Sequence, residues 1–249
     1  MEVTTNVTSP GTADGLQPSA KSEFWRGLRA ALPVLIGFVP FALVLGAQAT
    51  RKGLTALEVP LMTGLNFAGG SEFAAIQLWT SPPSLLLIVA STFLVNSRHL
   101  LMGAAMAPFI RHLSQRKTLA VLFLMCDESW ALGLADARKR LAQGLPAFSV
   151  PYYFAVAVSF YLTWVLCTGV GAVLGPWMGD IRVYGFDMAF PAVFLVLLRG
   201  MWPGWRSAKP WLVSLLVAAA TYWFAPPGWF VVTGALSGLA AAYLWEGRV

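Results

Sequence analysis

From Phe24 to the C-terminus, long apolar runs alternate with short polar joints, most of them basic. The runs are Phe24–Ala49, Leu54–Trp79, Pro82–Ile110, Thr118–Ala135, Pro151–Pro176, Gly185–Leu198, Pro210–Ala225 and Gly228–Trp245. An apolar stretch of about 20 residues matches a bilayer core, where only helices or closed barrels satisfy their own backbone. The pattern predicts an all-α membrane protein, a polytopic helical bundle of about six to eight transmembrane segments. Residues 24–249 read as a single transmembrane domain. Residues 1–23 are polar and rich in Thr, Ser, Gly and Pro, without the apolar core of a signal peptide. They read as a disordered arm.

Several runs are interrupted. Pro33 and Pro40 lie inside the first, where a kink is expected. GLNFAGGSE at 64–72 breaks the second, because paired glycines are poor helix formers. Ser71–Trp79 would be roughly 14 Å of helix, about half a hydrocarbon core. Two half-helices meeting at Gly69-Gly70 therefore fit better than one span, and a re-entrant path follows. A faint internal echo pairs ALVLG at 42–46 with GAVLG at 171–175, each followed by a proline-containing, interrupted segment. Broken segments in corresponding positions are what transporter repeats show.

Composition sharpens this reading. Hydrophobic residues make up 57% of the chain and charged residues 11%, against about 25% charged in soluble domains. The net charge of +6 sits in clusters between the runs, as cytoplasmic loops require, and no nucleic-acid-binding signature accompanies it. The expected partners are a lipid bilayer and no nucleic acid. Lys and Arg are distributed best if the N-terminus is cytoplasmic and both Leu54–Trp79 and Thr118–Ala135 loop back. Cys126 and Cys167 form no metal-ligand pattern, and no metal or cofactor is expected. No phosphate-binding loop or hydrolase elbow occurs, so the chain does not read as an enzyme or an ATP-driven pump.

Candidate chemistry lies in the few polar groups inside apolar runs. Arg98 is the only charge between Pro82 and Ile110, and a guanidinium keeps its charge at ordinary pH. Such a residue reads as a counter-ion for an anionic group or as a fixed interhelical ion pair. On a helix, Thr92, Asn96, His99 and Gly103 share one face and Arg98 points about 100° from His99. Acidic partners are scarce: Asp127 and Glu128 in CDESW, Glu72 after the glycine break, and Asp187 in GFDMAF. Adjacent carboxylates diverge on a helix, so one of Asp127 and Glu128 can pair with Arg98 while the other titrates. Asn66, Gly69, Gly70, Ser71 and Glu72 offer bare N–H donors at a half-helix N-terminus, suited to a carboxylate. Close helix packing is the plainer use of such glycines. Most tryptophans, Trp164 among them, read as anchors at the membrane interface.

These pieces resemble the AzlC family, the large membrane subunit of bacterial branched-chain amino-acid exporters. The resemblance rests on LPVLIGFVPFALVLG at 32–46, LNFAGGSEFAAIQL at 65–78 and NSRHLLMGAAMAP at 96–108. It continues through DESWAL at 127–132, GAVLG at 171–175 and GFDMAFPAVFL at 185–195. One departure stands out: the family commonly carries Gln where this chain has Glu72. The resemblance implies a secondary exporter of small hydrophobic amino acids in the bacterial inner membrane, working with a small AzlD-type membrane subunit. Asn66, Gly69, Gly70, Ser71, Glu72, Asn96, Arg98 and His99 would then bind substrate. Asp127, Glu128 and Asp187 would couple transport to the proton gradient. A passive channel and a scaffold subunit remain the alternatives.

Overall fold

A computed structural model describes residues 18–177, 195, 204–225 and 229–246. Helix α1, Ala20–Arg51, starts inside the polar arm, ahead of the apolar run at Phe24. Ser19 explains the earlier start, because its hydroxyl accepts from the Ser22 N–H at 3.2 Å and Glu23 occupies the first turn. Both prolines are accommodated within α1 without ending it. Further along, α8 (Val150–Leu174) opens in the same way, with Ser149 as the cap and Pro151 in the first turn.

Helices α1 and α8 run parallel and form the spine of the bundle. Gly27 lies on Tyr152 near both N-termini, and Gly175 lies on Ala47 and Thr50 at the far end. Between them the backbones touch. A Cβ on Gly46 would stand 2.0 Å from the Thr168 carbonyl oxygen, and one on Gly171 would stand 2.2 Å from that of Leu43. Only glycine allows this approach, the usual basis of tight packing in lipid. The two echoing stretches, 42–46 and 171–175, thus meet at one helix crossing. The counterpart segment Gly185–Leu198 lies outside the described residues apart from position 195.

Between the spine helices the chain makes two broken hairpins of opposite direction. The first joins α2, Glu58–Asn66, to α3, Gly69–Leu78. Lys52 at the end of α1 donates to the carbonyl of Trp79 at 3.4 Å, so α3 ends at the level where α2 began. A long helix then crosses in two pieces, α4 (Leu85–Asn96) and α5 (Arg98–Ile110), joined at Ser97. The second hairpin joins α6, Gln115–Phe123, to α7, Asp127–Ala142. Its end returns to the start of α1, where Arg26 pairs with Asp136 and Arg140 with Glu23. Finally α9 (Lys209–Phe224) and α10 (Trp229–Glu246) pack antiparallel, with Gly234 against Ala218 and Gly238 against Ser214.

Three described helices are long and apolar enough to cross a bilayer: α1, the α4–α5 unit and the stretch Val150–Trp177. The described residues contain helices and no strand. The main core lies between the spine and the first hairpin, around Phe38, Phe73, Phe160 and Trp164. A second cluster, with Met106, Val121 and Tyr153, seats the second hairpin against α5 and α8.

Candidate functional site

Three helix breaks converge on one small cavity. The first lies at Phe67 and Ala68, where Phe67 adopts φ 44°, a left-handed conformation that ends α2. Glu72 repairs the break. Its Oε1 accepts from the Ala68 N–H at 2.9 Å and from Asn66 Nδ2 at 3.3 Å. Its Oε2 accepts from the Trp164 indole at 2.8 Å. Asn66 also donates to the Ser71 hydroxyl at 2.9 Å, and Ser71 donates to the Ala68 carbonyl. On the far side, Asn96 of α4 donates to Asn66 at 3.1 Å. Asn66, Ser71, Glu72 and Asn96 therefore brace the break, while Gly69 and Gly70 reach the cavity wall itself. Gly69 has a packing reason as well, since a Cβ there would press on the Trp164 ring at 3.0 Å.

The second break presents the arginine. Ser97 turns its hydroxyl back to the Leu94 carbonyl at 2.7 Å, and Arg98 opens α5. Its Nη1 meets Asp127 Oδ2 at 2.9 Å, whereas its buried Nε has no hydrogen-bond partner among the described residues. His99 lines the same cavity, and its Nδ1 lies 3.1 Å from the Asn96 carbonyl.

The third break supplies the acids. Cys126 ends the first limb of the second hairpin, and its N–H donates to Ser129 Oγ at 2.9 Å in a capping arrangement. Asp127 and Glu128 then occupy the first turn of α7, where the helix dipole favours negative charge. Asp127 takes the arginine, and Glu128 lines the cavity beside it without an ion-pair partner among the described residues. Asp187 lies outside the described residues.

Phe38, Phe41, Phe67 and Trp164 form the apolar side of the cavity. Phe41 stacks on Phe73 with centroids 4.5 Å apart, and Phe38 stacks on Phe160 at 5.0 Å, so each of these wall residues is backed by a second ring. Sequence reasoning missed this cup. Trp164 in particular is no interface anchor: it is 2% exposed and holds Glu72 from the middle of α8. Its place halfway along the Pro151–Pro176 run was the available signal, since interface residues gather at span ends. Among the described residues no group of His, Cys, Asp and Glu has the makings of a metal site. The cavity instead offers one cation, two carboxylates, exposed backbone donors and an aromatic wall, a combination that suits a small molecule with both charged and apolar parts.

Comparison with known proteins gives the same direction. The family model described as AzlC protein matches residues 33–178. Inner membrane protein YgaZ of Escherichia coli (strain K12) is 26% identical over 258 residues, covering 99% of this chain and 98% of that protein. Branched-chain amino acid transport protein AzlC of Bacillus subtilis (strain 168) is 26% identical, covering 73% of this chain and 70% of that protein. An uncharacterized membrane protein of Archaeoglobus fulgidus is 30% identical over 72% of this chain and 76% of its own length. No solved structure matches. The family match takes in all three breaks and the cavity they enclose, and it spans more than half of the 249 residues: the chain belongs to the AzlC family of membrane proteins, with a role in transport.

Proposed function

We propose that the chain is the permease subunit of an exporter of branched-chain and related hydrophobic amino acids. It works in the bacterial inner membrane with its N-terminus in the cytoplasm, alongside a small AzlD-type membrane subunit. The observation that carries this reading is Arg98, placed at a mid-helix break with Asp127 on one nitrogen and no partner for Nε among the described residues. A guanidinium inside a membrane bundle with an unmet donor is costly and is kept where an anionic group completes it. A substrate carboxylate fits, because Arg98 offers directed donors and the start of α3 at Gly69-Gly70 adds backbone N–H groups. The aromatic cup from Phe38, Phe41 and Trp164 suits a branched aliphatic side chain. The name of the Bacillus subtilis relative, a branched-chain amino acid transport protein, supports the substrate class.

In this reading Asn66, Ser71, Glu72, Asn96 and His99 hold the breaks in shape around the substrate, Asp127 pairs with Arg98, and Glu128 and Asp187 handle the coupling proton. Acidic groups inside a membrane bundle are the usual means of proton coupling. The test is efflux of preloaded labelled valine, leucine and methionine from cells carrying this chain and a small AzlD-type subunit. The expected result is efflux that slows when the pH gradient is collapsed and stops in Arg98→Gln while the two subunits still co-purify. Efflux indifferent to the pH gradient refutes proton coupling. Efflux unchanged in Arg98→Gln refutes the site.

A further inference from the structure

The Arg98–Asp127 contact is an unusual ion pair for a membrane interior. Arg98 Nη1 meets Asp127 Oδ2 at 2.9 Å, and the side chains remain 32% and 29% exposed. Arg98 Nε is left without a partner among the described residues. By contrast, the pairs that only join helices here are denser: Arg26 binds Asp136 through both Nη atoms and also binds Glu23.

The cavity beside the pair measures about 40 Å3. That is room for roughly three waters and too little for an amino acid. Something must part for a ligand to enter. The aromatic wall is stacked and largely buried, with Phe41 its partly exposed member, and the α3 backbone is braced by Glu72. The contact between Arg98 and Asp127 is a partly exposed boundary of the cavity, with Arg98 Nε unpartnered among the described residues.

We propose that this ion pair is itself the receptor for a zwitterion. An amino acid inserts between the two side chains, its carboxylate taking Arg98 and its ammonium taking Asp127. This inference rests on the transport reading above and assigns the recognition of both charged ends. Insertion of a zwitterion leaves the net charge of the site unchanged and gives each side chain a new opposite charge. A simple acid or a simple amine would instead leave Asp127 or Arg98 without its opposite charge, which a partly desolvated site penalises. The carboxylate end is further backed by the free N–H groups at the start of α3, and the side chain lies against Phe41 and Trp164. Asp127 thus serves as the stand-in for substrate carboxylate when the site is empty, and as the ammonium ligand when it is filled.

The test is equilibrium binding of labelled leucine, with labelled methionine and labelled alanine run in parallel, to the full chain in lipid nanodiscs, with its AzlD-type subunit co-expressed. Competitors are unlabelled leucine, leucinamide (no carboxylate), 4-methylpentanoate (no ammonium), methionine and alanine. In the wild type, both single-ended analogues compete at least about 100-fold more weakly than leucine, the discrimination expected when buried polar groups lose their partners. In Asp127→Asn, leucine binding weakens while 4-methylpentanoate gains at least about tenfold relative to leucine, because Arg98 is no longer neutralised. Asp127→Glu, which keeps the charge, retains leucine binding. Leucinamide or 4-methylpentanoate competing as well as leucine overturns the proposal. Equal loss of leucine and 4-methylpentanoate in Asp127→Asn also overturns it, leaving a structural pair while the exporter reading stands. Binding of alanine or methionine without leucine, with the same dependence on both charged ends, supports the zwitterion receptor and refutes the branched-chain assignment. No binding of any neutral amino acid overturns both.

Discussion

Glu72 shows how one side chain can stabilise a broken helix. A carboxylate has two acceptor oxygens, and here each is used: Oε1 takes the Ala68 N–H exposed by the break, and Oε2 takes the Trp164 indole. An amide at this position turns one acceptor into a donor. Facing the indole N–H, a glutamine side chain must either oppose donor to donor or abandon Ala68. Glu72→Gln is therefore expected to cost about 1–3 kcal/mol, and Trp164→Phe a similar amount by leaving Oε2 unpaired. The two effects are coupled: removing the indole also removes the donor that the amide opposes, so the double variant is less destabilised than the sum by about 1 kcal/mol or more. Thermal unfolding of the four purified proteins checks this, and strict additivity would refute it. Little of this arrangement was legible in the sequence. Glu72 beside a glycine break was visible as a departure from its family. Its partner on α8 was not, because no local pattern links residues separated by 92 positions.

The elements are joined by two different means, and each predicts a different sensitivity. Helices α1 and α8 meet backbone to backbone through Gly46 and Gly171, so the first added carbon has nowhere to go. Gly171→Ala or Gly46→Ala is expected to destabilise by about 1–3 kcal/mol or more, read as loss of monodisperse protein on size-exclusion chromatography. Gly37, also on α1 but with nothing near a Cβ, is the control that tolerates alanine. The second hairpin is fastened ionically. Glu23 and Asp136 are 6% and 7% exposed and Arg140 is 8%, and Arg26 bridges both acids while lying 4.1 Å over the Tyr152 ring. Asp136→Asn removes one of the bridged acids and is expected to weaken the hold on α7 by about 1–3 kcal/mol. Hydrogen exchange in α7 should then rise roughly ten- to a hundredfold, with α8 unaffected; equal exchange in both proteins would show that the latch carries no load. The glycine break in the first hairpin could be anticipated from Gly69-Gly70. The break before Asp127 could not, because Leu124, Met125 and Cys126 carry no local breaking signal and the turn depends on Ser129 capping.

For the molecule as a whole, the two hairpins set the path of the chain through the membrane. Lys52 touching the carbonyls of Gln77 and Trp79 brings both ends of the first hairpin to one level. The Glu23, Arg26, Asp136 and Arg140 cluster brings the end of the second to the opposite level, beside the start of α1. On the proposed topology α1, α4–α5 and α8 cross in alternate directions, and the hairpins enter from opposite faces and meet at mid-depth, where half-helix ends can line a site without exposing backbone to lipid. The same arrangement places the basic joints at 111–117 and 138–140 on the side of Lys21, Arg26 and Arg29, in keeping with the excess of positive charge on cytoplasmic loops. A cysteine placed at Gly53 and one placed at Ser81 should therefore react with a membrane-impermeant maleimide from the same, external face. Cysteines at Ser114 and Gly144 should react only after the cytoplasmic face is opened, in a background where Cys126 and Cys167 are replaced by serine. If Gly53 and Ser81 label from opposite faces, the first hairpin crosses the bilayer and Gly69-Gly70 cannot be the inner end of a re-entrant loop. Gly53 and Ser81 labelling together from the cytoplasmic face would keep the hairpin and invert the whole protein, turning the direction in which the Arg98 cavity first meets its substrate.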